Sequence, residues 1–348
     1  MKLKERIKRI HLLEYAYHCW LWSKHYSKRE KILDICKGKD FDLVNISYDD
    51  AQQRYGIAYY IDPVRSYTSG FCSNLSVVLL SCKYADELGF KPRLYHEKES
   101  HLLEKNGFMD VDIFLEYYFE RIGDYSDYKW RSYAREEHQN KYLLSNNPIQ
   151  LRKIYSEMMN KYFKFNSTTK MELDACKEKY LNSSEKTLGV KFRGTNYYKK
   201  YKAHPIAYSV DEMICEVNKL YCEKQYKKIY LATEDANALY RFQKEFGNNL
   251  IFNESIDRYC LGKNHVDNAT RSDIQNAAYK EGLNLLKDLW VLSNCNGFIG
   301  VDCGVSDFAI VFNEVYGNSV FEDSVTLNKG TWKRGANSLV NKLNKQSK

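Results

Sequence analysis

Three short polar clusters carry the groups of this 348-residue chain best suited to grip an anion. The first is Arg193-Gly194-Thr195-Asn196, which follows Leu188–Phe192, a run that is apolar apart from Lys191. The second, Thr233-Glu234-Asp235, follows Lys228–Ala232, and the third, Asp302-Cys303-Gly304-Val305-Ser306, follows Gly297–Val301. Short apolar runs that end in polar turns read as buried strands. A guanidinium fork on such a turn matches the oxygens of a phosphate. Ligands of open α/β sheets gather beyond the carboxyl ends of the strands. A fourth stretch, Ser69-Gly70-Phe71-Cys72-Ser73-Asn74, opens the apolar helical segment Leu75–Leu88. A helix start of that kind points backbone N–H groups outward and attracts anions. Taken alone, it is equally an ordinary strand–turn–helix connection.

The elements that would position these groups alternate. Ile57–Ile61 and Lys91–Tyr95 read as strands on either side of the helix that closes at Gly89,. Between His96 and Asn147 the pattern is irregular and aromatic, and Ile149–Asn166 and Thr168–Leu181 read as helices. After Leu188–Phe192, Ser209 with Glu212 three residues on forms a capping box for a helix over Val210–Gln225,. Lys228–Ala232, Ala236–Phe246, Leu250–Phe252, Ile274–Ser293 and Gly297–Val301 then read as strand, helix, strand, helix and strand, and a helix begins at Asp307. This alternation predicts a doubly wound parallel sheet, whose three polar clusters converge at one edge. No G-x-G-x-x-G and no Walker A sequence is present, so a dinucleotide or P-loop site is not expected,.

Composition narrows the class. Hydrophobic residues are 44% and charged residues 28% of the chain, as in a globular protein able to bury cores in two domains,. No stretch approaches the roughly 18 apolar residues of a membrane span. The ten cysteines form no CxxC pair, and the N-terminus has no signal-type apolar region. The expected setting is therefore cytoplasmic, with reduced thiols. Residues 1–31 carry nine Lys/Arg and three Glu, and residues 329–348 carry six Lys/Arg and no acid. Each end is thus +6 in a chain of net +8, which leaves the body mildly acidic. Met1–Ser23 has an amphipathic helical pattern,. It suits docking on the body of the protein or contact with an anionic membrane, here the inner membrane surface. An acidic body without a reading module argues against nucleic acid.

In their order along the chain, these pieces resemble the fucosyltransferase superfamily that includes the core α1,6-fucosyltransferase and the bacterial nodulation fucosyltransferase. The resemblance covers roughly residues 186–316, with a weaker echo at Gly70–Leu80. Lys191-Phe192-Arg193-Gly194-Thr195-Asn196 stands in place of the family's His-x-Arg-Arg-Thr-Asp or His-x-Arg-His-Gly-Asn, and His204-Pro205 follows at a similar distance. Ile229–Leu239 (I-Y-L-A-T-E-D-A-N-A-L) is similar to V-Y-L-A-T-D-D-P-x-x-L. Asp288–Ser293 is similar to D-I-x-x-L-S, and Phe298–Ser306 to the strand and turn that close the donor site.

The resemblance implies a GT-B-like α/β fold of two Rossmann-like domains, the C-terminal one the doubly wound parallel sheet. Residues 1–185 would form the acceptor-side domain with its basic N-terminal helix, 186–328 the nucleotide-sugar domain, and 329–348 a basic tail. It further implies an inverting transfer of fucose from GDP-fucose to a glycan, with no metal and no other cofactor. That glycan is expected to be lipid-linked, as in surface polysaccharide biosynthesis. Arg193 would grip the β-phosphate and neutralise departing GDP, with Lys191, Thr195, Asn196 and Thr233 beside it. Asp288 would accept from the guanine edge, which offers paired N–H donors that uracil lacks. Ser306, or the backbone at Gly304 and Val305, would hold phosphate. Gly70, Phe71 and Cys72 would form the opposing lip. Three departures stand out. Lys191 replaces the family's histidine and Gly194 its second basic residue, and Tyr198–Lys202 holds no carboxylate to serve as base. Glu234, Asp235 and His204 are the remaining candidates, with Asp235 equally suited to cap a helix. GDP-mannose or a UDP-sugar as donor, or a non-catalytic binding role, are the alternatives.

Overall fold

The computed structural model describes residues 57–95, 99–105, 108–123, 130–134, 136–194, 204–259, 267 and 269–331. The N-terminal helix expected from the sequence and most of the basic tail lie outside these residues.

Two parallel sheets form the frame. The first has the order β2-β1-β3, from β1 (Ile57–Ile61), β2 (Lys91–Leu94) and β3 (Trp130–Tyr133). Helix α1 (Phe71–Glu87) makes the crossover from β1 to β2. Three helices follow: α2 (Glu136–Ser145), α3 (Pro148–Tyr162) and α4 (Ser167–Tyr180). The second sheet holds β4 (Thr187–Lys191), β5 (Lys228–Ala232), β6 (Leu250–Ile251), β7 (Gly297–Val301) and β8 (Ser324–Leu327) in the order β6-β5-β4-β7-β8. Its helices are α5 (Val210–Glu223), α6 (Ala236–Phe246), α7 (Ala277–Ser293) and α8 (Gly304–Tyr316).

The chain runs outward from β4 through β5 to β6, then returns to the other side of β4 for β7 and β8. The reversal between β4 and β7 is a topological switch point, where the loops at the strand ends diverge and leave a crevice. Register aligns the ends there, since Lys191 lies opposite Ala232 on one side and Gly300 on the other. All three polar clusters therefore leave the sheet at one edge. β4 and β7 are buried along their whole length, which explains their continuous apolar runs,.

One apolar core joins the halves. It includes Leu75 and Val78 of α1, Val190 of β4, Leu286 and Leu289 of α7 and Phe312 of α8. α3 packs against α1 and α8, and α4 against α7. The Tyr118 hydroxyl donates to the Tyr279 carbonyl at 2.9 Å, and the two rings stack 5.6 Å apart. At α5 the capping box is formed in both directions by Ser209 and Glu212, a device worth about 1 kcal/mol.

Some boundaries differ from the sequence reading. α1 begins at Phe71, not Leu75, and α8 at Gly304, not Asp307. The helix expected over Ile149–Asn166 ends at Tyr162, because Phe165 bridges to Phe119 and Asn166 caps α4 through Thr169 N–H. β3 and the edge strand β8 were not expected as strands.

Candidate active site

A cavity of about 970 Å³ lies between the two sheets. The N-termini of α1 and α8 open into it through Gly70, Phe71 and Cys72 and through Gly304 and Val305. Gly70 and Cys303 are the N-cap residues, and neither caps its helix with a side-chain hydrogen bond. The first-turn N–H groups of two long helices thus face one space, where they favour negative charge. The helix starts are close together: a Cβ on Gly304 would lie 3.3 Å from the Cys72 Cβ. Burial pushes the Cys72 thiol up to about 12, so no thiolate competes with an anion there.

The end of β4 adds two cations. Lys191 is buried, and its Nζ lies 2.9 Å from Glu234 Oε2, while Arg193 Nε lies 3.9 Å from Glu234 Oε1. Burial alone would lower the Lys191 pKa, but Glu234, Cys303 and Asp288 together outweigh it and the ammonium is held charged. Burial likewise pushes Glu234 up, yet Lys191 and Arg193 together hold its carboxyl below the usual range. Glu234 therefore orients cations and is a poor proton acceptor. His204 also lines the cavity, and burial and Arg193 lower its pKa, which keeps the ring neutral at neutral pH.

Gly194 has a local reason to stand where the resembling family has a basic residue. A Cβ there would overlap the Asp235 carboxylate. Asp235 in turn caps α6, accepting from Asn237 N–H at 2.9 Å and Ala238 N–H at 3.1 Å. The expectation of Asp235 as a base is corrected on this point. It does not line the cavity, and its Oδ1 is committed to the helix. Ser306 is corrected too. Its hydroxyl is fully buried and donates to the Val301 carbonyl at 2.6 Å, so only the backbone of that turn can meet a phosphate. Thr233 lines the cavity, with its hydroxyl accepting from Asp235 N–H. Thr195 and Asn196 lie outside the described residues.

α7 forms another wall with Glu281, Asn284, Leu285 and Asp288, a spacing that puts them on one helix face,. Asp288 is buried and accepts from the Tyr230 hydroxyl at 2.7 Å. Burial pushes it up to about 6, against the pull of that hydroxyl, Lys191 and Arg258. Glu281 accepts from Tyr259 at 2.7 Å. The sequence reading missed Glu281, Tyr259 and Asp307 as cavity residues. Glu281 and Asp288 at i and i+7 were a usable signal, whereas Tyr259 reaches the site only through tertiary folding. Among the described residues, no group of three or more His, Cys, Asp or Glu is placed to hold a metal.

No protein-family model and no curated protein matches the chain. Solved structures similar to it include fucosyltransferases. The NodZ α1,6-fucosyltransferase soaked with GDP-fucose is 14% identical, with 72% of this chain and 91% of that one covered, at a TM-score of 0.44. POFUT1 in complex with GDP-fucose is 10% identical, with 78% and 97% covered, at 0.43. A variant of Arabidopsis thaliana FUT1 in complex with GDP is 10% identical, with 84% and 77% covered, at 0.41.

Proposed function

We propose that this chain is an inverting glycosyltransferase that moves fucose from GDP-fucose to a glycan acceptor without a metal. One observation carries the reading: two side-chain-uncapped helix N-termini, Lys191 and Arg193 meet in a single cavity at a switch point. That set suits a diphosphate. It supplies from the protein the positive charge that a departing nucleoside diphosphate needs. The order of motifs over residues 186–316 supports GDP-fucose as the donor. In this reading, Asp288 accepts from the guanine N1–H and exocyclic amine, which selects guanine over uracil. Arg193 stabilises the charge that develops on the leaving β-phosphate.

Calorimetric titration with GDP and UDP, followed by GDP release from GDP-fucose over an acceptor panel, tests this. GDP should bind in preference to UDP. Arg193→Ala should lower turnover by about 10²–10³-fold, the usual effect of removing a charge-stabilising donor. A preference for UDP would remove the role given to Asp288. The acceptor is proposed to be lipid-linked, reached through the two basic ends. Liposome sedimentation checks this: equal recovery on neutral and anionic vesicles, with and without both ends, rules it out.

A further inference from the structure

Among the described residues five carboxylates line the cavity, and of these Asp288 is the buried one. Glu234 is held between two cations, Asp307 accepts from Arg152 Nη1 of α3 at 3.1 Å, and Asp267 and Glu281 keep more of their surface. Asp288 reaches the cavity from α7, while Tyr230 stands on β5 with its side chain fully buried. The Tyr230 ring lies 5.9 Å from that of Tyr180 on α4, which fixes it from the side. Its hydroxyl donates to Asp288 Oδ1 at 2.7 Å, the one hydrogen bond to that carboxylate among the described residues. Oδ2 is therefore the oxygen left to a ligand in the cavity.

We propose that Tyr230 is a positioning residue for base recognition: its hydroxyl pins Asp288 Oδ1 and so presents Oδ2 to the N–H donors of guanine. This rests on the donor reading above. The hydrogen bond does two things. It ends the rotation of a carboxylate that its own helix leaves free to turn, because the donor comes from a buried strand. It also favours the ionised form, which is the form that reads guanine. A carboxylate offers acceptors alone, whereas the acid would present an O–H to the N1–H and exocyclic amine. Burial drives Asp288 toward the acid, and the Tyr230 hydroxyl is the strongest group opposing it, ahead of Lys191 on β4 and Arg258 after β6. Glu234 after β5 works with burial, and Cys176 and Tyr180 are the titratable groups on the α4 side. Tyr230 keeps its own proton, since burial and the charge of Asp288 push its pKa well above 10. It therefore stays a donor across the whole range in which Asp288 titrates.

The test follows the ratio of GDP to UDP affinity with pH, by calorimetry on the full chain. Both nucleotides carry the same diphosphate, so its own titration cancels and the ratio reports the base site. In the unchanged chain the ratio should hold steady above a pH of about 6 and fall below it. Tyr230→Phe keeps the ring and removes the hydroxyl, so Asp288 should take up its proton at a higher pH. A rise of about one pH unit in the midpoint lowers the ratio about fivefold at pH 6 and less than about twofold at pH 8. In Asp288→Asn the ratio should be low and independent of pH, and adding Tyr230→Phe should change it by less than about twofold. A midpoint that stays at about 6 in Tyr230→Phe overturns the proposal. So does a midpoint that moves in Glu281→Gln instead, which would give base reading to the Tyr259–Glu281 pair. A ratio that is flat through pH 6 in the unchanged chain overturns it without recourse to any variant. Absence of a preference for GDP over UDP at pH 8 in the unchanged chain overturns the donor reading, and the role of Tyr230 with it.

Discussion

Glu234 bridges the two cations at the end of β4, with Oε2 2.9 Å from Lys191 Nζ and Oε1 3.9 Å from Arg193 Nε. It neutralises both cations from within the chain, the role a diphosphate would take in the donor reading proposed above. Glu234→Gln leaves the buried Lys191 ammonium without its counter-ion, and breaking such a pair costs about 3–5 kcal/mol. Urea denaturation should show that loss. Saturating GDP should narrow it, because the diphosphate takes the vacated place beside Lys191. An unchanged midpoint in the absence of nucleotide would sink this account.

In the donor reading proposed above, Asp288 would join stability to donor choice. Its carboxyl is raised from 3.8 to about 6. Between those values the folded chain binds more protons than the unfolded one. This contribution to stability is therefore full below 3.8 and is lost as pH rises through about 6. Asp288→Asn keeps an acceptor for the Tyr230 hydroxyl and removes the buried charge. Its melting temperature should match the unchanged chain near pH 4 and exceed it at pH 8, with a ceiling of about 3 kcal/mol for a two-unit shift. The same variant should lose roughly tenfold or more of its GDP affinity, about 1.4 kcal/mol. Melts at both pH values and calorimetry check the two halves. An equal offset at pH 4 and pH 8 would contradict the linkage.

Ser306→Ala separates hydroxyl from backbone at the start of α8. The hydroxyl donates to Val301 O, so its removal should cost about 1 kcal/mol of stability,. GDP affinity should stay within about twofold, because only main-chain N–H groups face the cavity there. A tenfold loss of affinity in calorimetry would show that the side chain turns toward phosphate.

The strands at the heart of the site were legible because they are buried on both faces. Gly297–Val301 and, after its leading lysine, Lys228–Ala232 read as apolar runs with the bounds they have in the fold,. The starts of α1 and α8 were set too late for the opposite reason. Each is led by Gly70 or Cys303 and has no side-chain cap, so the usual Ser, Thr or Asp signal is missing,. That missing cap is also what leaves the N–H groups available to a ligand. β8 is a short edge strand with no buried residue, which gives it no apolar period. The Arg152–Asp307 pair joins residues 155 apart and lies beyond any local pattern. Gly194 read as a weakness of the motif, and only the nearby Asp235 carboxylate explains it.

The close approach of Gly304 to Cys72 has a consequence for how a donor would be held. At that point the two halves leave no room for a side chain larger than glycine's without crowding Cys72, so the helix ends of both halves meet at one place. In the donor reading proposed above, a diphosphate at those helix ends would touch both halves at once, so the tightness of its fit would gauge how well they are aligned.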